Sequence, residues 1–266
     1  MSVNVALTGA GASSIIDGAG ENWFNKASSD TDKLRAMGND STPVYERVFG
    51  KGHKLPPNFV EPFGSVNVLL QGFTLTGSPF WTVHPVDCEN VIVRNLTVRT
   101  AATKNSDGCD PEGSRDVLIE GNYFDTGDDA VAIKAGRDAD GWRVGRPTEN
   151  IVVRRNTMAA KTNGICIGSE MSGGVSNVYA YDNVVSTASA AIYFKSNLDR
   201  GSWVRDVDVW GTRAAAVSTC VEFTNGYHGA RGGDFPSLFS GFNLSDNVCS
   251  KVSGSAVSDR KSTRLN

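Results

Sequence analysis

The sequence has few of the residues that mark zinc, membrane or nucleic-acid binding. Only three of its 266 residues are histidine. Its five cysteines (Cys88, Cys109, Cys166, Cys220 and Cys249) lie far apart, without a CxxC pair or a paired histidine spacing. This excludes a zinc module, and we expect the cysteines to be buried as small apolar residues, with an odd thiol left if the others were bridged. The formal net charge of −3 provides no field to gather nucleic acid or an anionic membrane.

Long apolar runs are missing as well. No stretch approaches the roughly 18 apolar residues of a membrane span. Residues 1–24 lack a basic segment followed by an apolar one, so we expect no signal peptide within this chain. Residues 4–17 already resemble the middle of a repeat. We therefore expect upstream repeats and any export signal to be missing from the sequence.

Glycine and asparagine, in contrast, are abundant. Glycine makes up 29 of 266 residues, about 11% against a usual share of roughly 7%, and asparagine contributes 20 residues. Both residue types favour tight turns and positive φ angles. Charged residues, at 21%, are too sparse for a disordered chain. The composition predicts a turn-rich, all-β protein whose length suits one large domain or two small ones.

One short cassette recurs through the chain: Asn or Asp, then Val or Ile, then alternating apolar residues, then a second Asn or Gly. Copies begin at Asn67, Asn90, Asp116, Asn150, Asn177 and Asp206, with a weaker copy at Asn243. The period of two predicts strands, and no window of 12 or more residues has a convincing helical period.

The six strong copies begin 23 to 34 residues apart. A strand cassette that returns at this spacing predicts a parallel β-helix with coils of about 22–30 residues. The longest interval, from Asn150 back to Asp116, indicates a loop inserted at 137–146. A β-sandwich is the alternative, but it gives no reason for a fixed cassette. We predict one β-helix domain over 1–252 and an irregular basic tail over 253–266.

A second strand register runs between the cassettes and aligns without gaps. Its segments begin at Asp107, Asp129, Asn163, Ala190 and Thr219. The apolar positions should form inward columns, namely Val131 and Ile133, Ile165 and Ile167, Ile192 and Phe194, and Val221 and Phe223. The residues between them must face outward: Asp110, Ala132, Cys166, Tyr193 and Glu222 in one column, and Glu112, Lys134, Gly168, Lys195 and Thr224 in the other. Acids, bases and a tyrosine on one sheet face predict a site there.

Three aspartates stand at the start of this register. Asp107 and Asp129 occupy equivalent positions and should lie one coil apart, roughly 4.8 Å, while Asp128 should point elsewhere from the same turn. Carboxylates packed so closely repel one another, which should raise one pKa enough to keep a proton near neutrality. Glycoside hydrolysis needs this combination of a protonated and an ionised carboxyl. The alternative is that each aspartate merely caps a turn beside glycine.

The segments Asn105-Ser106-Asp107-Gly108 and Gly127-Asp128-Asp129 resemble the N-[ST]-D-G and [GQ]-D-D motifs of glycoside hydrolase family 28, the polygalacturonases. The resemblance covers roughly residues 4–250. It implies a right-handed parallel β-helix and an inverting hydrolase that cleaves α-linked, galacturonic-acid-containing pectin. It further implies that Asp128 is the general acid and that Asp107 and Asp129 activate the water. No cofactor or metal is expected, and the resemblance implies an extracellular or periplasmic location.

Two departures from the family pattern keep other functions open. Thr162 stands where the family has a histidine, and Tyr193 replaces the arginine of the later R-[IF]-K motif, whose lysine is Lys195. We expect Arg200 to supply the missing charge. The alternative function is a non-catalytic or weakly active β-helix that binds acidic polysaccharide, and a calcium-dependent lyase is a weaker one.

Substrate contacts are predicted from the outward columns and the flanking loops. The candidates are Asn105, Asp110, Glu112, Lys134, Tyr193, Lys195, Arg200 and His84. Segment 134–155 carries a local excess of positive charge, which suits either a uronic-acid chain or an ordinary surface loop. Tyr193 could stack on a sugar ring or pack at the rim. His53 and His228 have no register with the site. We expect a pectic polysaccharide as partner, no nucleic acid or membrane, and a monomer.

Overall fold

The computed structural model describes residues 2–24 and 29–260. Parallel strands dominate this part of the chain. In chain order the strands are β1 (Val3–Thr8), β2 (Ile15–Asp17), β3 (Val66–Gln71), β4 (Thr74–Thr76), β5 (Glu89–Arg94), β6 (Thr97–Arg99), β7 (Arg115–Glu120), β8 (Tyr123–Thr126), β9 (Val131–Ile133), β10 (Thr148–Arg154), β11 (Thr157–Ala160), β12 (Asn163–Gly168), β13 (Val175–Tyr181), β14 (Val184–Lys195), β15 (Trp203–Trp210), β16 (Arg213–Thr224), β17 (Leu238–Ser245), β18 (Val248–Cys249) and β19 (Val257–Arg260). The helices are α1 (Glu21–Phe24), α2 (Ser29–Asn39), a 3-10 turn (Val44–Glu46) and α3 (Asp138–Val144).

The strands stack into the predicted parallel β-helix. The cassettes form one sheet in the order β1-β3-β5-β7-β10-β13-β15-β17, so each cassette pairs with the next along the chain. A second sheet has 11 strands and contains β9, β12, β14 and β16. Every pairing within these sheets is parallel, as in β5 with β7, where Val91 lies beside Val117. The all-β β-helix prediction is confirmed.

The asparagine and glycine content is explained by the two ends of each cassette strand. The first residue of each of the six strong cassettes has a φ between 54° and 59°, a range that side chains of Asn and Asp tolerate better than most. Gly72, Gly121 and Gly211 occupy the corresponding position at the other end, with φ angles of 73°, 64° and 64°. These corners bend the chain from one strand into the next, so composition and coil geometry have the same cause.

A ladder of buried asparagines ties the coils together at one corner. Asn122 donates from its backbone and side-chain nitrogens to Asn156 Oδ1, each over 3.0 Å. Asn156 repeats the pattern with Asn183, and its side-chain nitrogen also donates to the Ile119 carbonyl over 3.0 Å. Every rung therefore satisfies backbone groups that the tight corner leaves without strand partners.

The core fills the space between the sheets with the inward columns. Val131, Ile133 and Ile192 are fully buried, as predicted. Burial as free thiols is confirmed for Cys88, Cys109 and Cys166. Cys220 is buried as predicted and Cys249 is half-buried, but the two form a disulfide with their Cα atoms 5.9 Å apart. Their separation of 29 residues is close to one coil, so stacking brings the two thiols together.

Helices were not predicted, and they lie outside the repeat. α2 has 11 residues, shorter than the window in which a helical period was sought. α3 occupies the predicted inserted loop at 137–146, and an ion pair between Arg47 and Asp140 connects it to the segment that follows α2. None of the helices in the described ranges could cross a bilayer.

The predicted irregular tail is partly corrected. Val257–Arg260 form β19, which pairs in parallel with β16 from Val221 to Thr224. Residues 261–266 lie outside the described residues.

Candidate active site

The second strand register forms the floor of the site, as predicted. Ala132 lies beside Cys166, Cys166 beside Tyr193, and Tyr193 beside Glu222. The neighbouring outward column runs from Glu112 to Lys134 and from Gly168 to Lys195. The chain before each floor strand contributes the carboxyl groups, and the ends of the strands contribute the lysines.

The three aspartates meet above this floor. The Gly108 backbone nitrogen donates to the Asp129 carbonyl over 2.9 Å, which places Asp107 one coil from Asp129, as predicted. One oxygen of each of the carboxyls of Asp107, Asp128 and Asp129 lies within 4.8 Å of the others. Asp128 does not point elsewhere: its carboxyl and that of Asp129 converge on Thr162.

Asp129 is surrounded by hydrogen-bond donors. Its Oδ2 accepts from Lys195 Nζ at 2.6 Å, and its Oδ1 lies 2.6 Å from Thr162 Oγ1. Asn163 also donates to Oδ1, from its side chain over 2.7 Å and from its backbone over 3.2 Å. Burial alone raises the pKa of Asp129, but the charges of Lys195 and Lys134 and these hydrogen bonds outweigh it, so the pKa lies below its usual value. Asp129 is an anion near neutral pH.

Asp128 has the opposite tendency. Its Oδ1 lies 2.8 Å from Thr162 Oγ1 and accepts the backbone N–H of Asp129 over 3.0 Å. Partial burial, followed by repulsion from Asp129, raises the pKa of Asp128 above its usual value. The two adjacent carboxyls therefore have pKa values displaced in opposite directions, which separates an acid from a base.

Asp107 is buried and has weaker support. Lys134 Nζ lies 3.8 Å from its Oδ2. Burial raises the pKa of Asp107, and the attraction of Lys134 only partly counters this, because Asp129 and Asp128 repel the Asp107 anion. Asp107 therefore shares the site with Asp129 as a more readily protonated neighbour.

The carboxyls open into a cavity of about 310 Å³. Of the predicted substrate-binding residues, Asn105, Lys134, Lys195 and Arg200 line it. Among the residues that the structure describes, six cationic side chains line the cavity: Arg35, Lys134, Arg137, Lys195, Arg200 and Arg231. Four acids face them: Asp107, Asp128, Asp129 and Glu170. The lining therefore has a cationic excess even when every acid is ionised, which suits an anionic ligand.

Four predicted contact residues are not among those lining the cavity. Asp110 is 0% exposed and His84 is 5% exposed, so neither presents a free polar group to a sugar. His84 lies between the carboxylates of Glu61 and Glu112, at 2.9 and 3.1 Å. These bonds occupy Glu112 as well, and they hold the pKa of His84 above its usual value although burial lowers it.

Tyr193, the fourth, packs at the rim. Its ring makes an edge contact with Tyr227, with centroids 6.2 Å apart, and Lys195 Nζ lies 5.7 Å from its centroid. The rim-packing interpretation of Tyr193 therefore describes its position better than stacking on a sugar. Tyr227, not Tyr193, lines the cavity.

Arg200 lies at the cavity wall, but its charge is already paired. Its guanidinium forms an ion pair with Asp138 and lies 3.3 Å from Glu170. Glu170 is also paired with Lys134 at 3.1 Å and Arg137 at 3.2 Å. Burial raises the pKa of Glu170, but these cations outweigh it and hold the pKa well below its usual value. Arg200 was predicted to supply the missing charge; it lines the cavity, but Asp138 and Glu170 already pair its guanidinium.

The predicted basic rim over 134–155 is largely wrong. Only Lys134 and Arg137 of that segment face the cavity. Arg154 and Arg155 belong to the cassette sheet, where both approach Glu120, at 3.1 and 3.3 Å. The missing cations come instead from α2, through Arg35, and from the loop after β16, through Arg231.

Several cavity residues were missed although the register contained a signal for them. Each lies two to four residues beyond the end of a floor segment: Arg137 after Lys134, Glu170 after Gly168, and Tyr227 and His228 after Thr224. His228 is a loop residue, as predicted, but it lines the cavity although it was predicted to have no register with the site. Extending the alignment past the strand ends identifies this set. Phe80 and Trp81, which also line the cavity, belong to an earlier coil outside the aligned set.

Comparison with known proteins agrees with the site. The family model described as "Glycosyl hydrolases family 28" matches residues 1–266. The chain belongs to this family.

Relatives and solved structures place the chain within it. A protein called "Probable polygalacturonase" from Vitis vinifera is 33% identical over 213 residues, covering 78% of this chain and 43% of that protein. The crystal structure of a hyperthermoactive exopolygalacturonase from Thermotoga maritima is 35% identical with a TM-score of 0.87, covering 96% of this chain and 66% of that one. A polygalacturonase from Erwinia carotovora shares the fold, with 22% sequence identity and a TM-score of 0.69. The match covers 99% of this chain and 72% of that one. The family 28 chain described here thus spans under half the length of the Vitis relative.

Proposed function

We propose that this chain hydrolyses α-linked galacturonic-acid chains of pectin by acid–base catalysis, as the names of its relatives suggest. The observation that carries the proposal is the Asp128 and Asp129 pair, whose pKa values are displaced in opposite directions at the edge of a cationic cavity. One carboxyl is thereby prepared to give a proton and its neighbour to take one.

Asp128 acts as the general acid. It transfers its proton to the glycosidic oxygen while the bond from that oxygen to the anomeric carbon breaks. Water attacks the anomeric carbon and passes a proton to ionised Asp129, with Asp107 helping to hold the water. The catalytic cycle is complete when Asp129 releases its proton to solvent and Asp128 takes one up from solvent.

The hydrogen bonds that Asp129 accepts favour attack by water, with inversion, over attack by the Asp129 carboxylate itself. A carboxylate has about four lone-pair sites. Oδ1 is engaged by Thr162 and Asn163, and Oδ2 by Lys195, which leaves room on Oδ2 for a water proton rather than for a covalent bond to sugar. The carboxyl oxygens, within 4.8 Å, are closer than the roughly 6.5–9.5 Å usual between the carboxyl groups of inverting enzymes, so stereochemistry must be measured.

The ligand is a uronate rather than a neutral sugar. Arg35 and Arg231 have planar donor groups suited to a carboxylate, neither is paired with Glu170 or Asp138, and both line the same cavity as the acid–base pair. Trp81 and Tyr227 offer aromatic surface beside them. We propose that the sugar carboxylates bind these cations and thereby orient the glycosidic bond toward Asp128.

Family members are secreted or periplasmic enzymes, and we propose the same compartment for this chain. The Cys220–Cys249 disulfide supports it, because disulfides persist in oxidising compartments. We further propose that the protein acts as a monomer on soluble pectic polymer and binds neither nucleic acid nor membrane.

The test is reducing-sugar release from polygalacturonate by wild type, Asp128→Asn and Asp129→Asn. We expect each variant to lose about 10²- to 10⁴-fold in rate, because each removes a proton-transfer group. Asp125→Asn is the matched control, since Asp125 lies in the same coil but not on the cavity lining. Proton NMR of the first product should show the β-anomer.

Three results contradict the proposal. Absence of release from any pectic substrate between pH 4 and 8, with calorimetric binding of oligogalacturonide, indicates a binding protein. An unsaturated product that absorbs in the ultraviolet, with activity lost to a chelator, indicates a lyase. Release of the α-anomer first indicates a covalent intermediate.

A further inference from the structure

The loop at residues 225–237 joins β16 to β17 and carries one of the cations of the cavity. Arg231 lines the cavity, and within the described ranges its guanidinium has neither an ion pair nor a hydrogen bond. We propose that Asp199 is a positioning residue that fixes Arg231 over the cavity, where the guanidinium binds the carboxylate of a galacturonate unit. This inference rests on the proposed function for the nature of the ligand.

Asp199 lies just beyond β14 and binds the loop through backbone groups. The Arg231 N–H donates to both carboxylate oxygens, over 3.0 Å to Oδ1 and 2.8 Å to Oδ2. The Gly233 N–H also donates to Oδ1, over 2.8 Å. This approach requires glycine, because a Cβ at position 233 would lie 2.6 Å from Asp199 Oδ1. One carboxylate thus fixes the backbone at the arginine and two residues beyond it.

The other attachments of the loop lie on either side of Arg231. The Tyr227 carbonyl accepts from the Asn197 side chain over 3.1 Å, and the Phe235 N–H donates to the Leu198 carbonyl over 2.8 Å. Among the residues that the structure describes, the hydrogen bonds that join 228–234 to another segment are those to Asp199. Removal of this carboxylate therefore frees Arg231 without releasing the flanking attachments.

The composition of the loop makes this attachment necessary. Four of its residues are glycine, namely Gly226, Gly229, Gly232 and Gly233. Glycine loses more conformational freedom on ordering than any other residue, so a loop this rich in glycine does not hold a long side chain in place by itself. An arginine that is already placed binds its ligand with a smaller loss of entropy.

Positioning and charge predict opposite effects of removing Asp199. Asp199 is an acid next in sequence to Arg200, which lines the cavity. By charge alone, its loss makes the surroundings more positive and strengthens the binding of an anion. By positioning, its loss leaves Arg231 to be ordered at each binding event, which weakens binding. The sign of the change therefore separates the two explanations.

The experiment measures the Kd of trigalacturonate by calorimetry in an Asp128→Asn parent, which slows any cleavage of the ligand. We expect Asp199→Ala to raise Kd about three- to tenfold, the effect of ordering one long side chain on binding. Asp199→Asn should fall between the parent and Asp199→Ala, because an oxygen at the Oδ1 position still accepts from both N–H groups.

Asp234→Ala is the matched control. Asp234 is exposed in the same loop, and in the described part of the chain its carboxylate accepts no hydrogen bond. The variant removes the same charge without removing an attachment, so Kd should stay unchanged or fall slightly. A lower Kd in Asp199→Ala, or equal values for Asp199→Ala and Asp199→Asn, shows an effect of charge and overturns the proposal.

Double-mutant cycles distinguish positioning of Arg231 from a general effect on the fold. In an Arg231→Gln background, Asp199→Ala should change Kd by less than about twofold, because the side chain that it positions is gone. In an Arg35→Gln background it should have its full effect, because Arg35 reaches the cavity from α2. Equal effects in all three backgrounds indicate a merely structural role and overturn the proposal.

The result for Asp199 is separable from the result for catalysis. Release of reducing sugar from polygalacturonate by wild type, with Kd unchanged in Asp199→Ala, overturns the positioning role and leaves the proposed hydrolysis intact. The expected coupling of Asp199 with Arg231, without cleavage of any pectic substrate by wild type, supports the positioning role and contradicts hydrolysis. Absence of trigalacturonate binding by the parent overturns this inference whether or not the enzyme is active.

Discussion

The carboxyls of the site differ from one another in their burial and in their partners. From sequence, repulsion between the stacked aspartates predicted that one pKa would be raised. The pKa is raised at both Asp128 and Asp107, chiefly by burial, with repulsion from the neighbouring carboxylates adding to it. The sequence could not assign the ionised member, because its partners come from later coils: Thr162 lies 33 residues and Lys195 lies 66 residues beyond Asp129. Side-chain contacts between coils depend on rotamers, which a strand register does not specify.

The carboxyl group of Asp110 has no hydrogen bonds among the described residues to offset the cost of burying it. It is fully buried, and within the described part of the chain neither of its oxygens has a hydrogen-bond partner. Burial, followed by repulsion from Asp107, raises its pKa well above the usual value. The native state therefore holds a proton that the unfolded chain releases above about pH 4, so this group costs stability increasingly as pH rises from there.

Asp110→Asn removes that pH dependence. We expect the variant to gain stability over wild type as pH rises from 4 to 7, by on the order of 1–2 kcal/mol at pH 7. Urea unfolding at several pH values measures the difference. Asp234→Asn, at an exposed site, serves as the control. A constant difference between wild type and Asp110→Asn across this range contradicts the explanation.

Among the structural elements, the corners of the coils could be predicted from the sequence, whereas the inserted helices could not. The cassette strands could be placed because Asn67 or Asp116 at a strand start and Gly72 or Gly121 at its end leave a local, repeated signal. Helix α3 leaves no repeated signal in the sequence, because it is short and lies in a single insert. An ion pair between Asp140 and distant Arg47 supports it. Such elements depend on tertiary contacts more than on intrinsic propensity.

The asparagine ladder provides the test at this scale. Asn156→Ala removes the acceptor of the buried Asn122 backbone N–H, one of the two acceptors of the Asn122 side-chain nitrogen, and the side-chain donor to the Ile119 carbonyl. We expect a loss of about 2–4 kcal/mol in the free energy of unfolding. Thr157→Ala, next in sequence but exposed, should change it by less than about 0.5 kcal/mol. Equal effects in urea titrations argue that the ladder is not a stabilising element.

For the whole molecule, the net charge of −3 conceals a separation of charge. The cationic cavity side chains come from parts of the chain as distant as Arg35, Arg137 and Arg231, which the fold brings to one place. Counting charge along a segment failed for 134–155, because successive residues of a coil face different sides. The repeat of the coils was nevertheless accessible from sequence because it is local, whereas the helices, the disulfide and β19 were not.

This separation predicts salt-dependent catalysis. We expect kcat/KM on polygalacturonate to fall about tenfold as salt rises from 0.05 to 0.5 M, because screening weakens the attraction of the anionic chain to the cavity. Arg231→Gln should lower activity at low salt and flatten this dependence. Arg213→Gln, exposed and not on the cavity lining, should leave the slope unchanged. The same slope in wild type and Arg231→Gln excludes Arg231 from the attraction.

The coil corners have an evolutionary consequence. Residues that shape the cavity, such as Arg137, Glu170 and Tyr227, leave the coils just beyond the floor strands, whereas the left-handed corners lie at the ends of the cassette strands. Loops can therefore be exchanged between related coils without disturbing the bends that close each turn. In such a solenoid, one part of each coil closes the turn and another part sets the shape of the cavity, so the two can change independently.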